Sequence, residues 1–210
     1  MNNPWLTIPL EDYEGHMDMP GVGQAKMLAN EFGELLETYV PTSVAVIGCA
    51  GGNGFEEAIK AGVARLVGLD INPTYIVNAN ARFAGRELGL ELYCADIERY
   101  MREVRPVHMV YAALVFEYVD IVKTLKNLRS ICLSDGILAA LLQLPKEGTA
   151  SVSPSPFIAL KALSPIMRLV PPDEFRQLGE GLGFVFLSQK LITLESGKQF
   201  SLQVFKVPEK

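Results

Sequence analysis

The sequence predicts an α/β fold organised on a mostly parallel sheet, and three observations carry that expectation. Apolar strand-like runs alternate with helix-patterned segments between Ser43 and Leu144, the pattern of right-handed βαβ crossovers. The first and last of those runs lack polar alternation, as strands do when helices cover both faces of a sheet. Beyond Gly183 the pattern alternates and is broken at Ser196-Gly197, a hairpin signal that makes this end antiparallel.

The elements follow in order. Residues 1–20 contain Pro4, Pro9 and Pro20 among Trp5, Tyr13, Glu14, His16 and Met17. Prolines oppose a long helix there, while the apolar content has this leader pack on the rest of the chain. From Val22 the spacing of Ala25, Leu28, Ala29, Phe32, Leu35, Leu36 and Tyr39 predicts a helix that Pro41 ends. Strands are expected at Ser43–Gly48, Ala64–Leu69, Glu91–Cys94, Pro106–Ala113 and Ile137–Leu144. Helices are expected between them, from Asn53 or Gly54 to Ala61, from Pro73 to about Leu88, and from Asp120 to Leu133. The second of these has proline at its start and glycine past its end. Residues 145–172 are proline-rich, with a helical piece at Phe157–Leu163. A connection of that length in a compact domain reads as a substrate lid. A helix over Asp173–Leu182 and strands at Phe184–Thr193 and Phe200–Phe205 close the chain. Residues 1–210 are read as one domain: leader and cap helix over 1–40, core over 43–144, lid over 145–172, and last helix with hairpin over 173–210.

Composition sets limits. Hydrophobic residues make up 49% of the chain, a folded rather than a disordered composition. The net charge of -5 and the scattered basic residues speak against a nucleic-acid partner, which leaves a basic stripe. Arg99, Arg102 and Arg105 stand among Glu98 and Glu103 and read as a solvated face. The apolar runs are too short to span a membrane. The acidic start, with Glu11, Asp12 and Glu14, is not that of a signal peptide. Cys49, Cys94 and Cys132 form no C-x-x-C pair, so neither a zinc site nor a disulfide framework is indicated. Read as buried free thiols, they suit a reducing cytoplasm. A monomer or a homodimer is expected.

The stretch Val44 to Asp70 is where chemistry is expected. After the first strand come Gly48, Ala50, Gly51, Gly52 and Gly54, whose lack of bulk lets a ligand approach the backbone. The helix that follows opens with unpaired N–H groups. Asp70 ends the second strand, where an acid accepts hydrogen bonds from ribose hydroxyls. Glycines alone also serve a tightly packed βαβ turn. Asp70, together with Asp96 after the third strand, shifts the balance to a nucleoside cofactor. The dinucleotide pattern G-x-G-x-x-G is not met: with Gly48 first, Ala50 and Asn53 stand at the other glycine positions.

These segments resemble the class I S-adenosylmethionine-dependent methyltransferases. The resemblance covers roughly residues 43–144. It is carried by Val46-Ile47-Gly48-Cys49-Ala50-Gly51-Gly52-Asn53-Gly54, by Gly68-Leu69-Asp70-Ile71-Asn72, by Cys94-Ala95-Asp96-Ile97 and by residues 112–119. It implies a three-layer Rossmann-like sandwich with a mostly parallel seven-stranded sheet in the order 3-2-1-4-5-7-6. An antiparallel C-terminal hairpin and an N-terminal helical cap belong to that implication. It also implies S-adenosyl-L-methionine as cofactor and S-adenosyl-L-homocysteine as product. Gly48, Cys49, Ala50 and Gly52 would surround the methionine part, and Asp70 would hold the ribose. Ile71, followed by Asn72, would lie beside the adenine. Asp96 would meet the adenine amino group with a backbone contact from Ile97, and Ala113 would line the methyl-transfer face. Two positions depart from the family pattern. Val46 stands where an acid commonly orients the methionine end, and Ala50 replaces the middle loop glycine.

A sulfonium is already an activated methyl donor, so the chain has mainly to hold an acceptor in line with the methyl carbon. Neither a metal nor a catalytic triad is needed. A base helps where the nucleophile carries a proton, and the candidates are His16, Tyr13, Glu14, Glu117 and Tyr118, with His16, Tyr13 and Glu117 placed first. His16 titrates near neutrality but also reads as a packing histidine. Glu117 also reads as a helix cap, and His108, inside the fourth strand, reads as structural. The expected activity is methyl transfer to a small-molecule acceptor, with no nucleic-acid or membrane partner. Two other readings stay open. One is a non-catalytic cofactor-binding or partner subunit with this fold, for which Val46 speaks. The other is a protein methyltransferase.

Overall fold

Side chains of alternate strand residues point to opposite faces, and here both faces are buried. Val44 and Val46 enter one apolar core, and Ala45 and Ile47 enter another. The computed structural model describes residues 3–86, 89–99, 103–145 and 152–209. Its strands are β1 (Ser43–Ile47), β2 (Arg65–Asp70), β3 (Gly89–Cys94), β4 (Val107–Ala113), β5 (Cys132–Gln143), β6 (Val185–Thr193) and β7 (Gln199–Lys206). They form one sheet in the order β3-β2-β1-β4-β5-β7-β6. Pairing is parallel from β3 through β5, and β7 runs antiparallel to both β5 and β6. The order and the reversed end match the expectation.

The helices are α1 (Leu10–Asp18), α2 (Gln24–Tyr39), α3 (Phe55–Lys60), α4 (Pro73–Phe83), α5 (Ile121–Ser130) and α6 (Pro172–Gly181). α2, α3 and α4 cover one face through Phe32, Leu36, Phe55 and Phe83. α5 and α6 cover the other through Leu125, Leu128 and Phe175. The result is the three-layer sandwich. No helix among the described residues is long and apolar enough to cross a membrane.

Several local expectations are corrected. The leader contains a nine-residue helix, α1, because its prolines bracket the helix instead of interrupting it. Gly15 within α1 has a packing role: a Cβ there would lie 2.5 Å from Cζ of Phe157. α4 ends at Phe83 rather than near Leu88, and Gly85 with φ +76° turns the chain; residues 87–88 lie outside the described set. α5 stops at Ser130, and Asp120 is its cap, accepting from the Lys123 N–H at 2.9 Å. Cys132 therefore begins β5 instead of ending the helix, pairing with Val107 across an irregularity that Asp135 (φ +61°) and Gly136 accommodate. Cys94 is exposed, unlike Cys49 and Cys132, because β3 is an edge strand. Of the clustered arginines, Arg105 joins Arg65 on Glu91 and Arg99 pairs with Asp96; Arg102 is outside the described residues.

Phe205 on β7 is the hub of the α5–α6 core. It makes edge-to-face contacts with Phe175, Phe184 and Phe186 at centroid distances of 5.9, 6.2 and 5.5 Å. Truncating such a residue removes buried area and leaves a cavity. Phe205→Ala is expected to lower unfolding free energy by about 3–5 kcal/mol, read as a reduced urea midpoint at an unchanged slope.

Candidate active site

Strand order reverses between β1 and β4, and in open sheets of this kind a crevice opens at that switch point beyond the carboxyl ends of the strands. Two loops form it. After β1, Gly48 turns with φ +67° and Ala50 sits at φ +46°; after β4, Leu114 sits at φ +57°. Left-handed backbone at non-glycine residues costs about 1–2 kcal/mol each, so surrounding contacts must hold both. For Ala50 the contact is Asp70. Its Oδ2 accepts from the Ala50 N–H and its Oδ1 from the Asn72 N–H, each at 2.9 Å. Asp70 is 8% exposed. Burial raises its pKa, and the backbone N–H bonds counter that rise.

Asn72 extends the tie. Its Oδ1 caps α4 by accepting from the N–H groups of Thr74 and Tyr75, and its Nδ2 donates to the Trp5 carbonyl at 2.8 Å. The Tyr75 hydroxyl donates to the Ile8 carbonyl at 3.0 Å. The leader is thereby strapped across the crevice, and α1 lies over the glycine loop.

Three cavities meet beneath α1. The first, of 190 Å³, is lined by Gly48, Ala50, Asp70, Ile71, Asp96, Ile97 and Ala113 together with Trp5, Tyr75 and Tyr118. The second, of 370 Å³, is lined by Val46, Gly48, Asn53, Arg82 and Tyr111 with Glu14 and Asp18 of α1. The third, of 60 Å³, lies between α1 and the segment 152–167, and its walls include His16, Met17, Tyr118, Leu160, Met167 and Lys198. Tyr13 lines all three.

The candidate residues are distributed unevenly. Seven of the ten expected cofactor residues line the first cavity; Cys49, Gly52 and Asn72 do not. Cys49 is buried beside Gly68, Gly52 packs on Phe83, and Asn72 works as the cap just described. Trp5 and Tyr75 line the crevice without having been singled out in the sequence, whereas Leu114 and Val115 belong to the segment 112–119 that carries the resemblance. Tyr75 stands in the first turn of α4, directly after the Asp70 segment, which was the available signal. Trp5 carried none beyond being aromatic.

Burial sorts the proton-transfer candidates. The Tyr13 phenol is held well above its usual pKa, first by burial and then by Asp70 and Glu14. Tyr118 is raised by burial, Glu117 and Tyr13. Both phenols stay protonated and offer O–H donors, not bases. His16 is 6% exposed and its Nδ1 has no hydrogen-bond partner among the described residues. Its pKa is lowered by burial and by the Lys198 charge, which favours the neutral imidazole. Burial pushes the Lys198 ammonium down to about 8. Glu117, 1% exposed, lines none of the three cavities; its Oε1 accepts from the Gln143 N–H at 2.7 Å. It clamps the end of β5 from inside the protein. His108 sits at the opposite end of the sheet, its Nδ1 hydrogen-bonded with Ser43 Oγ at 2.8 Å.

Residues 44–136 match the family model described as a methyltransferase domain. No curated protein sequence matches the chain. Among solved structures, the N-methyltransferase NodS from Bradyrhizobium japonicum, in complex with S-adenosyl-L-homocysteine, superposes with a TM-score of 0.71 at 15% identity, covering 99% of this chain and 100% of that one. The [4+2]-cyclase SpnF gives 0.70 at 10% identity, covering 87% and 81%. The pyocyanin biosynthetic protein PhzM gives 0.63 at 18% identity, covering 93% and 61%.

The buried Glu117 carboxyl sets a pH dependence. Burial, opposed by the Gln143 hydrogen bond, raises its pKa from 4.5 to about 7. Between those values the folded state keeps a proton that the unfolded chain releases, so stability falls as pH rises. Glu117→Gln removes that fall. In denaturant titrations at about pH 4 and about pH 8, the variant is expected to gain on the wild type by on the order of 3 kcal/mol across the interval.

Proposed function

We propose that this chain, which has the class I methyltransferase fold with the family's domain over residues 44–136, binds S-adenosyl-L-methionine and transfers its methyl group to a small-molecule acceptor. The observation that carries this reading is the meeting of three cavities at Tyr13, two of them opening on the glycine loop and the third on a buried histidine whose pKa is lowered.

The residues fit the cofactor. Gly48 opens the crevice where a Cβ would lie 2.9 Å from Cγ2 of Val115. Each Asp70 oxygen accepts one backbone N–H and keeps a second lone pair for a ribose hydroxyl. Ile71 and Ile97 offer apolar walls for a purine, with Asp96 beside them. Bound there, the cofactor supplies a methyl group on an electrophilic sulfonium. The chain supplies position and exclusion of water. Trp5, Tyr13 and Tyr118 roof the crevice as an edge-to-face cluster, with centroid distances of 5.7 and 5.1 Å from Trp5.

The acceptor is assigned to the cavity at His16. Its small volume of 60 Å³ and its mixed walls, Leu160, Leu163 and Met167 beside His16, Gln143 and Lys198, suit a compact acceptor group. Residues 152–167 of the expected lid help to wall it; residues 146–151 lie outside the described set. His16 stands three residues after Tyr13, on the same face of α1. An acceptor O–H or N–H presented to the His16 imidazole from that cavity loses its proton there as the methyl group is taken.

Two measurements test the reading. S-adenosyl-L-homocysteine at about a hundred times its dissociation constant is expected to stabilise the wild type by about 2.7 kcal/mol in thermal denaturation, and Asp70→Asn to abolish the shift. No shift in the wild type overturns the cofactor assignment. With an acceptor found by methyl release from labelled cofactor, His16→Ala is expected to lower kcat by about 10²–10⁴-fold. Its affinity for S-adenosyl-L-homocysteine is expected to stay unchanged, and an undiminished kcat would remove His16 from the reaction.

A further inference from the structure

The second cavity sets a chemical problem that the residues of β1 do not solve. An α-amino acid end carries an ammonium and a carboxylate, and both lose water when the leader covers them. Val46, in the cavity wall, offers neither charge. The charges in that wall come from two distant places in the chain. Glu14 and Asp18 descend from α1, and Arg82 rises from α4. Arg82 and Glu14 form a two-pronged pair, with Nη1–Oε1 at 2.5 Å and Nη2–Oε2 at 2.8 Å. Nη1 also donates to the Gly51 carbonyl at 3.3 Å, so the pair rests on the glycine loop itself.

The loop is shaped for this pair. A Cβ at Gly51 would lie 2.5 Å from Arg82 Nη1 and 2.6 Å from Glu14 Oε1. Any side chain there would push the two charges off the loop. The pair also faces water on its outer side, with side-chain exposures of 46% for Arg82 and 26% for Glu14. Partly exposed ion pairs contribute little to stability, so a fastening role alone gives such a pair little to do. Both partners have unused capacity: a guanidinium has five N–H donors, and a carboxylate has about four acceptor positions. They can each turn one charge to a ligand without leaving a buried group unpaired.

We infer that Glu14 and Arg82 hold the α-amino acid end of the cofactor, Glu14 accepting from its ammonium and Arg82 donating to its carboxylate, in the place that Val46 leaves uncharged. The inference rests on the cofactor reading above. It makes the leader helix part of the cofactor site: the ligand that engages Glu14 also fixes α1, which carries Tyr13, His16 and Met17 into the acceptor cavity. The amino acid end then decides whether that cavity is assembled, and a nucleoside without it leaves α1 loose.

The test compares two ligands on the same proteins by titration calorimetry: S-adenosyl-L-homocysteine and 5′-methylthioadenosine, which keeps the nucleoside and lacks the amino acid. Glu14→Gln and Arg82→Met are expected to weaken S-adenosyl-L-homocysteine by about tenfold or more, as lost charge-assisted hydrogen bonds do. Methylthioadenosine affinity is expected to stay within about twofold, which also shows that the variants are folded. In the wild type, S-adenosyl-L-homocysteine should slow amide exchange over residues 10–18, and methylthioadenosine should not. If the variants shift both ligands by the same factor, or neither, the pair is a fastener and the inference falls while the cofactor site stands. If the wild type binds neither ligand, the cofactor reading falls and takes the inference with it.

Discussion

The carboxylate of Asp70 holds the site together. One oxygen takes the N–H of Ala50 and the other the N–H of Asn72, so a single side chain joins the glycine loop to the turn after β2. A hydrogen bond to a charged acceptor contributes about 1.5–3 kcal/mol. That is enough to offset the left-handed backbone of Ala50 at about 1–2 kcal/mol. Asn72, positioned by the same carboxylate, caps α4 and reaches the leader at Trp5. Loop, helix and leader thus depend on one buried anion whose own desolvation the N–H bonds oppose.

The leader contributes side chains to all three cavities, and it does so through a helix of nine residues. Isolated helices of that length are marginal in water. α1 is therefore ordered by what it packs on: Phe157 on one side and the glycine loop below. Roof and floor of the crevice form together, and the weakest part of the site is the part that carries His16.

The fold leaves the chemistry open. The same architecture, at comparable similarity, is found in an N-methyltransferase and in a [4+2]-cyclase. What it reliably provides is a crevice at the switch point between β1 and β4. The acceptor cavity proposed above draws its walls from the leader and from segment 152–167. In this crevice a buried histidine whose pKa is lowered stands beside two tyrosines that burial keeps protonated.

Much of this was legible in the amino-acid sequence, because it depends on local rules. Strand periodicity marks β1 and the apolar run of β5 as covered on both faces. A glycine loop followed by an acid at the next strand tip marks Asp70, and the alternating tail marks the antiparallel end. What the sequence left open depends on direction and distance. The periodicity of residues 116–120 does not say that Glu117 turns inward to Gln143, nor does the leader's composition say that its prolines bracket a helix. Cys94 is exposed because its strand lies at an edge, a property of the sheet as a whole. Glu14 and Arg82, 68 residues apart, become partners only when α1 lies across the loop. Local patterns determined the framework and the acid at the tip of β2. Which side chains lose water, and therefore which hold or release protons, only tertiary contact decided, because desolvation is imposed by neighbours that the chain brings from far away.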